Sequence, residues 1–272
     1  MEQQYLEPLE KFRKDGFWIV RNAVDEKSLL HLEEEISAFQ NNSYKIPWLT
    51  GIYEYPDEVN AIHFPHRVSE KIYNAALDKR ITVWASLFCG ANYYDWYGHI
   101  SLVQSMLYMK SPGKRGQPWH QDELFTPTRD RSLVTVWIAI DKATTENGCI
   151  WVIPESHKYG RLYPTTLVDN SEDWVRSELI DIDTSQAVPL ELSPGDVAYF
   201  SGYIVHGSYK NRSLIKRRSL VLNYKSFWSP SMLEAVCEHG GDIDFSNSSK
   251  AVLVNVENPA PFSKIENGVL AR

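Results

Sequence analysis

The chain has 272 residues, 43% of them hydrophobic, and a formal net charge of −7. This length can bury a sizeable core, while the acidic balance argues against a general nucleic-acid binder, whose phosphate contacts need a basic face. No apolar run approaches the roughly eighteen residues of a membrane-spanning helix. The three cysteines, Cys89, Cys149 and Cys237, form neither a C-x-x-C pattern nor an even disulfide framework, and with no evident signal peptide a reducing, cytoplasmic setting is expected.

From the N-terminus, residues 2–14 place Leu6, Leu9 and Phe12 on one side of a short helix, which Gly16 ends before a strand over Phe17 to Val20. Asp25 is a good N-cap for a second helix with Leu29, Leu32 and Ile36 on one face. Residues 41–64, with Pro47, Trp48, Tyr53, Tyr55 and Pro56, read as a long loop of the kind often used as a lid. A further helix is predicted over 69–88. Strands are predicted at 99–110, 133–141, 149–153, 188–192, 197–200 and 218–227, with a variable connection at 155–187 and no internal repeat. The expectation is one domain, mainly β with flanking α-helices. It has N-terminal helices and a lid loop over 1–98, a strand core over 99–228 and a C-terminal extension over 229–272.

The chemistry concentrates in Trp119-His120-Gln121-Asp122, answered far downstream by His206-Gly207-Ser208 and the basic pair Arg217-Arg218. Two imidazoles and one carboxylate can cap one face of an octahedral metal, the ligand set of non-haem Fe(II) oxygenases. On extended backbone the i, i+2 relation of His120 and Asp122 points both to one side. His206 then comes from another strand, which suits an antiparallel barrel or jelly roll better than a helical H-E-x-x-H motif. Alone, H-x-D is unspecific, and a surface turn or a buried hydrogen-bonded cluster stays open as the alternative.

Strand parity adds a second argument. Arg217, Ser219, Val221, Asn223 and Lys225 share one face of the closing strand, and Leu220, Leu222 and Tyr224 share the other. If helices cover the outside, the apolar set packs outward and Arg217 looks inward. Gln104 and Tyr108, on the strand before the H-x-D segment, are then cavity candidates or polar residues satisfied within the wall. Trp137 is a candidate ligand contact or simply core.

Several short segments occur in a fixed order: Phe12 to Val24, Lys110-Ser111-Pro112-Gly113, Pro118 to Asp122, Asn147-Gly148-Cys149, Ile153 to Lys158, Pro194-Gly195-Asp196, His206-Gly207-Ser208, Asn211 and Arg217-Arg218. Together they resemble the phytanoyl-CoA dioxygenase family of 2-oxoglutarate-dependent oxygenases, with Glu155 standing where glycine is usual. The resemblance implies a double-stranded β-helix (jelly roll, cupin-like) and Fe(II) held by His120, Asp122 and His206. It also implies 2-oxoglutarate with its distal carboxylate on Arg217 and Ser208, and O2 as the other cosubstrate. Trp137, Gln104 and Tyr108 are further candidate cofactor contacts on this reading.

Hydroxylation of an unactivated C–H bond of a small-molecule substrate, with release of succinate and CO2, is the implied default reaction. Desaturation, cyclisation and demethylation are the alternatives within the family, and a noncatalytic jelly-roll binding protein is the alternative outside it. Asp122 fills the position that halogenating relatives leave vacant, which favours hydroxylation over halogenation. His157 is expected to fix a turn and not to bind metal. The final Leu270-Ala271-Arg272 is not an evident peroxisomal address, and nothing in the sequence specifies an oligomeric state.

Overall fold

The computed structural model describes residues 3–41, 61–167 and 177–229, together with the backbone of short strands at 252–254, 262–263, 265–266 and 269–270. The first helix, α1 (Gln3–Asp15), buries Pro8, Leu9 and Phe12. Leu6, expected beside them, is exposed instead. Gly16 ends the helix at a φ of +88°, and a Cβ there would lie 2.5 Å from His157 Nδ1. Only glycine meets both demands without strain. Strand β1 (Phe17–Val20) follows, then α2 (Glu26–Gln40), whose N-cap Asp25 accepts a hydrogen bond from the Ser28 N–H at 2.8 Å.

Two expectations for this half need correction. The predicted loop at 41–64 lies mostly outside the described residues, but its last part is strand β2 (Ala61–His63), paired with Met106 to Tyr108. The single helix predicted over 69–88 is two helices, α3 (Glu70–Ala76) and α4 (Lys79–Cys89). The break comes from Asp78, whose carboxylate accepts from the Arg80 N–H at 2.9 Å and so begins a new helix. A short acidic side chain competes for backbone donors in this way wherever apolar periodicity alone would run straight through.

After β3 (Asp95–Trp96), the remaining strands are β4 (Ile100–Lys110), β5 (Val134–Ala139), β6 (Ile150–Val152), β7 (Thr165–Leu167), β8 (Ser177–Leu179), β9 (Val188–Leu190), β10 (Val197–Ser201), β11 (His206–Ser208), β12 (Arg217–Ser226) and β13 (Val252–Val254). The predicted strands fall within a few residues of these bounds. The connection at 155–187 carries an additional pair, β7 with β8. The larger sheet has the order β1-β10-β5-β12-β4-β13, with β2 also on β4, and the smaller sheet is β11-β6-β9. All these pairings are antiparallel, and the two sheets form a jelly roll. The proposed C-terminal extension lies largely outside the described residues. No helix among the described residues is long and apolar enough to cross a membrane.

Side-chain alternation divides the core into two layers. Val134, Val136, Ile138, Leu220, Leu222 and Tyr224 pack outward with Phe12, Ile36, Ile72, Ile81 and Phe88 of the helices. Tyr224 donates to the Ala76 carbonyl at 2.6 Å and Tyr199 to that of Ile81 at 3.2 Å, so both buried phenols are satisfied against the helix layer. The opposite face supplies Trp137, Ala139, Phe200 and Val221, which meet Ile150, Val152 and Leu190 of the smaller sheet.

Arg218 ties the two outer layers together. It chelates Asp141 at 2.7 and 2.8 Å and reaches Glu33 of α2 at 2.6 Å. These carboxylates hold its proton more tightly than usual.

A different local solution appears at Glu155. It adopts a φ of +67°, which explains why glycine suits this position, and its carboxylate pairs with Lys158 at 2.5 Å.

The Gly16 geometry yields a stability test. Gly16→Ala combines an unfavourable backbone conformation with a contact that His157 must yield to, and is expected to cost about 2–4 kcal/mol. Urea unfolding should show a clearly lower midpoint at unchanged slope. A midpoint equal to that of the parent protein would mean that the turn tolerates a side chain.

Candidate metal centre

Two backbone segments remote in sequence meet at the site. His120 and His206 form an isolated antiparallel bridge with both hydrogen bonds made, at 2.8 and 3.0 Å. Partners in such a pair project to the same face, and the imidazole centroids lie 4.1 Å apart. Gln121 is extended, at φ −126° and ψ 128°, so Asp122 points to the same side as His120. The expected i, i+2 geometry is present, with Asp122 opening a single 3-10 turn rather than continuing a strand.

Ligand atoms of His120, Asp122 and His206 all lie within 4.8 Å of one another. The same Asp122 oxygen, Oδ1, is 3.7 Å from each of the two Nε2 atoms. His120 Nδ1 is 2.7 Å from the Pro118 carbonyl, and His206 Nδ1 is 3.1 Å from that of Ile204. A carbonyl only accepts, so each Nδ1 carries the proton and each Nε2 presents a lone pair. The donor set therefore suits a divalent first-row metal, with two neutral imidazoles and one carboxylate converging from one side. Both histidines are buried, while Asp122 retains some exposure.

The turn bearing Asp122 is braced from behind. Gln121, fully buried, donates to the Arg161 and Tyr203 carbonyls at 2.8 and 2.6 Å and accepts from the Tyr163 N–H at 2.9 Å. Burial pushes the Glu123 carboxyl up, against hydrogen bonds from the Thr128 and Arg129 N–H groups and the Tyr203 hydroxyl. Neither residue points into the site. Both fix the backbone that aims Asp122.

The other end of the inner face is cationic. Arg217 begins β12, is 4% exposed, and sets its guanidinium 5.1 Å from the Trp137 ring centroid. Among the described residues no carboxylate pairs with it, its Nε has no hydrogen-bond partner, and burial pushes its pKa down to about 10. The Asp196 carboxylate pairs with Arg21 instead, at 2.7 Å. A buried guanidinium without an anion is costly, and the fork-shaped donor fits a carboxylate.

Ser208 lies nearby on β11. Its Oγ accepts from Lys110 Nζ at 2.8 Å and from the Gln117 N–H at 3.0 Å. Both lone pairs are used, so the hydroxyl proton is available to an acceptor. Sequence alone marks Lys110 only as one local basic residue able to meet an anionic substrate, with a solvated loop charge as the readier reading, and gives Gln117 no role. The signal was the position of Lys110 at the end of β4, directly opposite Arg217, which needs the register to be seen.

The remaining candidates are less closely tied to this end. Tyr108 donates to Met106 Sδ at 3.3 Å and accepts from Gln117 Nε2 at 3.1 Å. The Gln104 amide lies 3.1 Å from His63 Nδ1, and among the described residues it makes no hydrogen bond to the three ligands or to Arg217. Burial lowers the His63 pKa to about 4. His157 fixes a turn, donating from Nε2 to the Arg13 carbonyl at 3.1 Å.

A jelly roll with two imidazoles and a carboxylate converging on one point, and on its inner face a buried arginine that no carboxylate among the described residues pairs, has the architecture of the cupin-like non-haem metal class. Residues 12–219 match the family described as Phytanoyl-CoA dioxygenase (PhyH). The chain belongs to this family of Fe(II)/2-oxoglutarate-dependent oxygenases. It is 35% identical over 128 residues to "Phytanoyl-CoA dioxygenase 1" of Oryza sativa subsp. japonica, a match covering 47% of this chain and 45% of the rice protein. It is 26% identical over 231 residues to the peroxisomal phytanoyl-CoA dioxygenase of Rattus norvegicus, covering 81% and 68% of the two chains. Among solved structures, the epimerase SnoN in complex with Fe3+, alpha ketoglutarate and nogalamycin RO superposes with a TM-score of 0.65 at 17% identity, over 87% of this chain and 91% of that one.

The convergence of the two Nε2 atoms on Asp122 Oδ1 gives a direct metal test. His120→Ala and His206→Ala should each weaken anaerobic Co(II) binding by at least about a hundredfold while melting cooperatively, because apolar packing and not a structural metal holds the sheets together. Wild-type affinity in both variants would refute the three-ligand assignment.

Proposed function

We propose that this protein is an Fe(II)- and 2-oxoglutarate-dependent dioxygenase that hydroxylates an unactivated C–H bond of a small organic metabolite, releasing succinate and CO2. The observation that carries this reading is the combination, on one inner face, of three converging ligand atoms with a buried arginine that no carboxylate among the described residues pairs. Iron, when bound, supplies the activation of dioxygen. The protein supplies position, charge and exclusion of water.

His120, Asp122 and His206 are proposed to hold the iron. Arg217 and the Ser208 hydroxyl are proposed to take the distal carboxylate of 2-oxoglutarate, with Lys110 and the Gln117 N–H orienting Ser208. The Trp137 ring, its centroid 5.1 Å from the Arg217 guanidinium carbon, is proposed to form one wall beside it. Tyr108, joined to Gln117, lines the same side. Gln104 belongs with His63 in the wall of the roll. Asp122 fills the carboxylate position, so hydroxylation is proposed over halogenation.

The adjacent arginines separate cosubstrate binding from stability. Arg217→Ala removes a charged partner from a dry site, an effect of about 2–5 kcal/mol in comparable interfaces. At about 1.4 kcal/mol per decade, with water re-entering, 2-oxoglutarate affinity should fall on the order of tenfold to a thousandfold. Arg218→Ala should leave that affinity within about threefold and lower the melting temperature, because it loses Asp141 and Glu33. Anaerobic titration of the iron–2-oxoglutarate charge-transfer band, together with oxygen-dependent succinate formation, checks both. A wild-type protein that forms neither the band nor succinate would refute the proposed function.

A further inference from the structure

The carboxylate of Asp122 is held from both of its oxygens. Oδ1 faces the two imidazole Nε2 atoms at 3.7 Å. Oδ2 accepts a hydrogen bond from the Thr135 hydroxyl on β5. Thr135 in turn accepts from Asn223 Nδ2 at 2.7 Å, across the β5–β12 pair in which these two residues stand directly opposite. Thr135 and Asn223 are both almost fully buried.

The direction of the chain follows from donor and acceptor inventory. A carboxylate that serves as a metal ligand is ionised and only accepts, so the threonine proton goes to Asp122. The threonine oxygen is then left as an acceptor, and Asn223 must offer its NH2 side. The opposite amide orientation would set the Asn223 oxygen against an oxygen whose proton is already committed. In the orientation present, Asn223 Oδ1 is buried with no hydrogen-bond partner among the described residues. The amide thus serves Asp122 at the expense of its own oxygen.

We propose that Thr135, oriented by Asn223, is a positioning residue that keeps Asp122 a one-oxygen ligand. The inference rests on the iron-site reading given above. A two-histidine, one-carboxylate site leaves three positions open only if the carboxylate uses one oxygen. If Oδ2 also turned to the metal, a fourth position would be taken, and the space for a two-point cosubstrate together with dioxygen would be lost. Thr135 fixes Oδ2 to the sheet wall instead. Alternation on β5 sets Thr135 on the same face as Trp137, so one strand carries both the brace for the ligand and the flat wall beside Arg217.

The test uses the full chain with Co(II) alone, then with Fe(II) and 2-oxoglutarate under anaerobic conditions. Thr135→Val keeps the branched shape and removes the hydroxyl, whereas Thr135→Ser keeps the hydroxyl. Thr135→Val is expected to weaken Co(II) binding about tenfold to a hundredfold and to shift the iron–2-oxoglutarate charge-transfer band. Thr135→Ser should restore both. Asn223→Ala leaves the threonine in place and should move both readouts the same way by less, which serves as the second variant if Thr135→Val melts without cooperativity.

A purely structural hydroxyl would change the melting temperature and leave metal affinity and the band unmoved. Parent-like Co(II) affinity and an unshifted band in a folded Thr135→Val protein overturn this inference alone. Parent protein that binds neither Co(II) nor 2-oxoglutarate overturns the iron-site reading and this inference with it.

Discussion

The bridge between His120 and His206 is the contact on which the site depends. The two hydrogen bonds belong to the main chain, so the approach of the imidazoles is set by backbone pairing rather than by side-chain flexibility. The pairing continues at the Ser208 N–H, which donates to the Gln117 carbonyl at 3.0 Å. One short ladder therefore aligns the histidines at one end and Ser208 with Gln117 at the other. Gly116 permits it: a Cβ there would sit 1.6 Å from the Ser208 carbonyl oxygen. Close approach of two backbones, more than left-handed conformation, accounts for that glycine.

The strands around this ladder separate tasks by face. On β12, Arg217 looks into the roll and Arg218 out toward α2, although they are neighbours in sequence. The period of two that gives a sheet an apolar outer face also delivers a polar column inside, without interrupting the outward packing of Leu220, Leu222 and Tyr224. β5 repeats the arrangement, with Val134, Val136 and Ile138 outward and Thr135 and Trp137 inward. Helix packing and site chemistry are consequently decided by alternating residues of the same strands.

Much of this was legible in the sequence because alternation and caps are local. The strands over 99–110 and 218–227, the Asp25 cap and the inward side of Arg217 follow from periodicity and side-chain chemistry within a few residues. The helix over 69–88 misled because Ile72, Ala76, Ile81 and Ala85 continue an apolar pattern through Asp78, and a cap in the middle of a pattern carries little weight beside it. Leu6 was placed inside because periodicity reports one face of a helix and not how far along it the neighbour extends. The metal ligands stood out by their spacing and company. Gln117 and Thr135 did not, and Lys110 showed only as a basic residue with no assigned place, since their contacts depend on cross-strand register and on where a loop returns, neither of which a local pattern encodes.

Glu155 shows how such a fold constrains its own later change. The left-handed backbone disfavours any side chain by roughly 1–2 kcal/mol, while an exposed ion pair such as that with Lys158 returns at most about 1 kcal/mol. The two positions are therefore unequal partners in evolution. Glycine at 155 makes Lys158 free to vary, whereas loss of Lys158 first removes the compensation and leaves the strain. The order in which substitutions arrive, and not only their identity, decides which sequences around this turn are reachable.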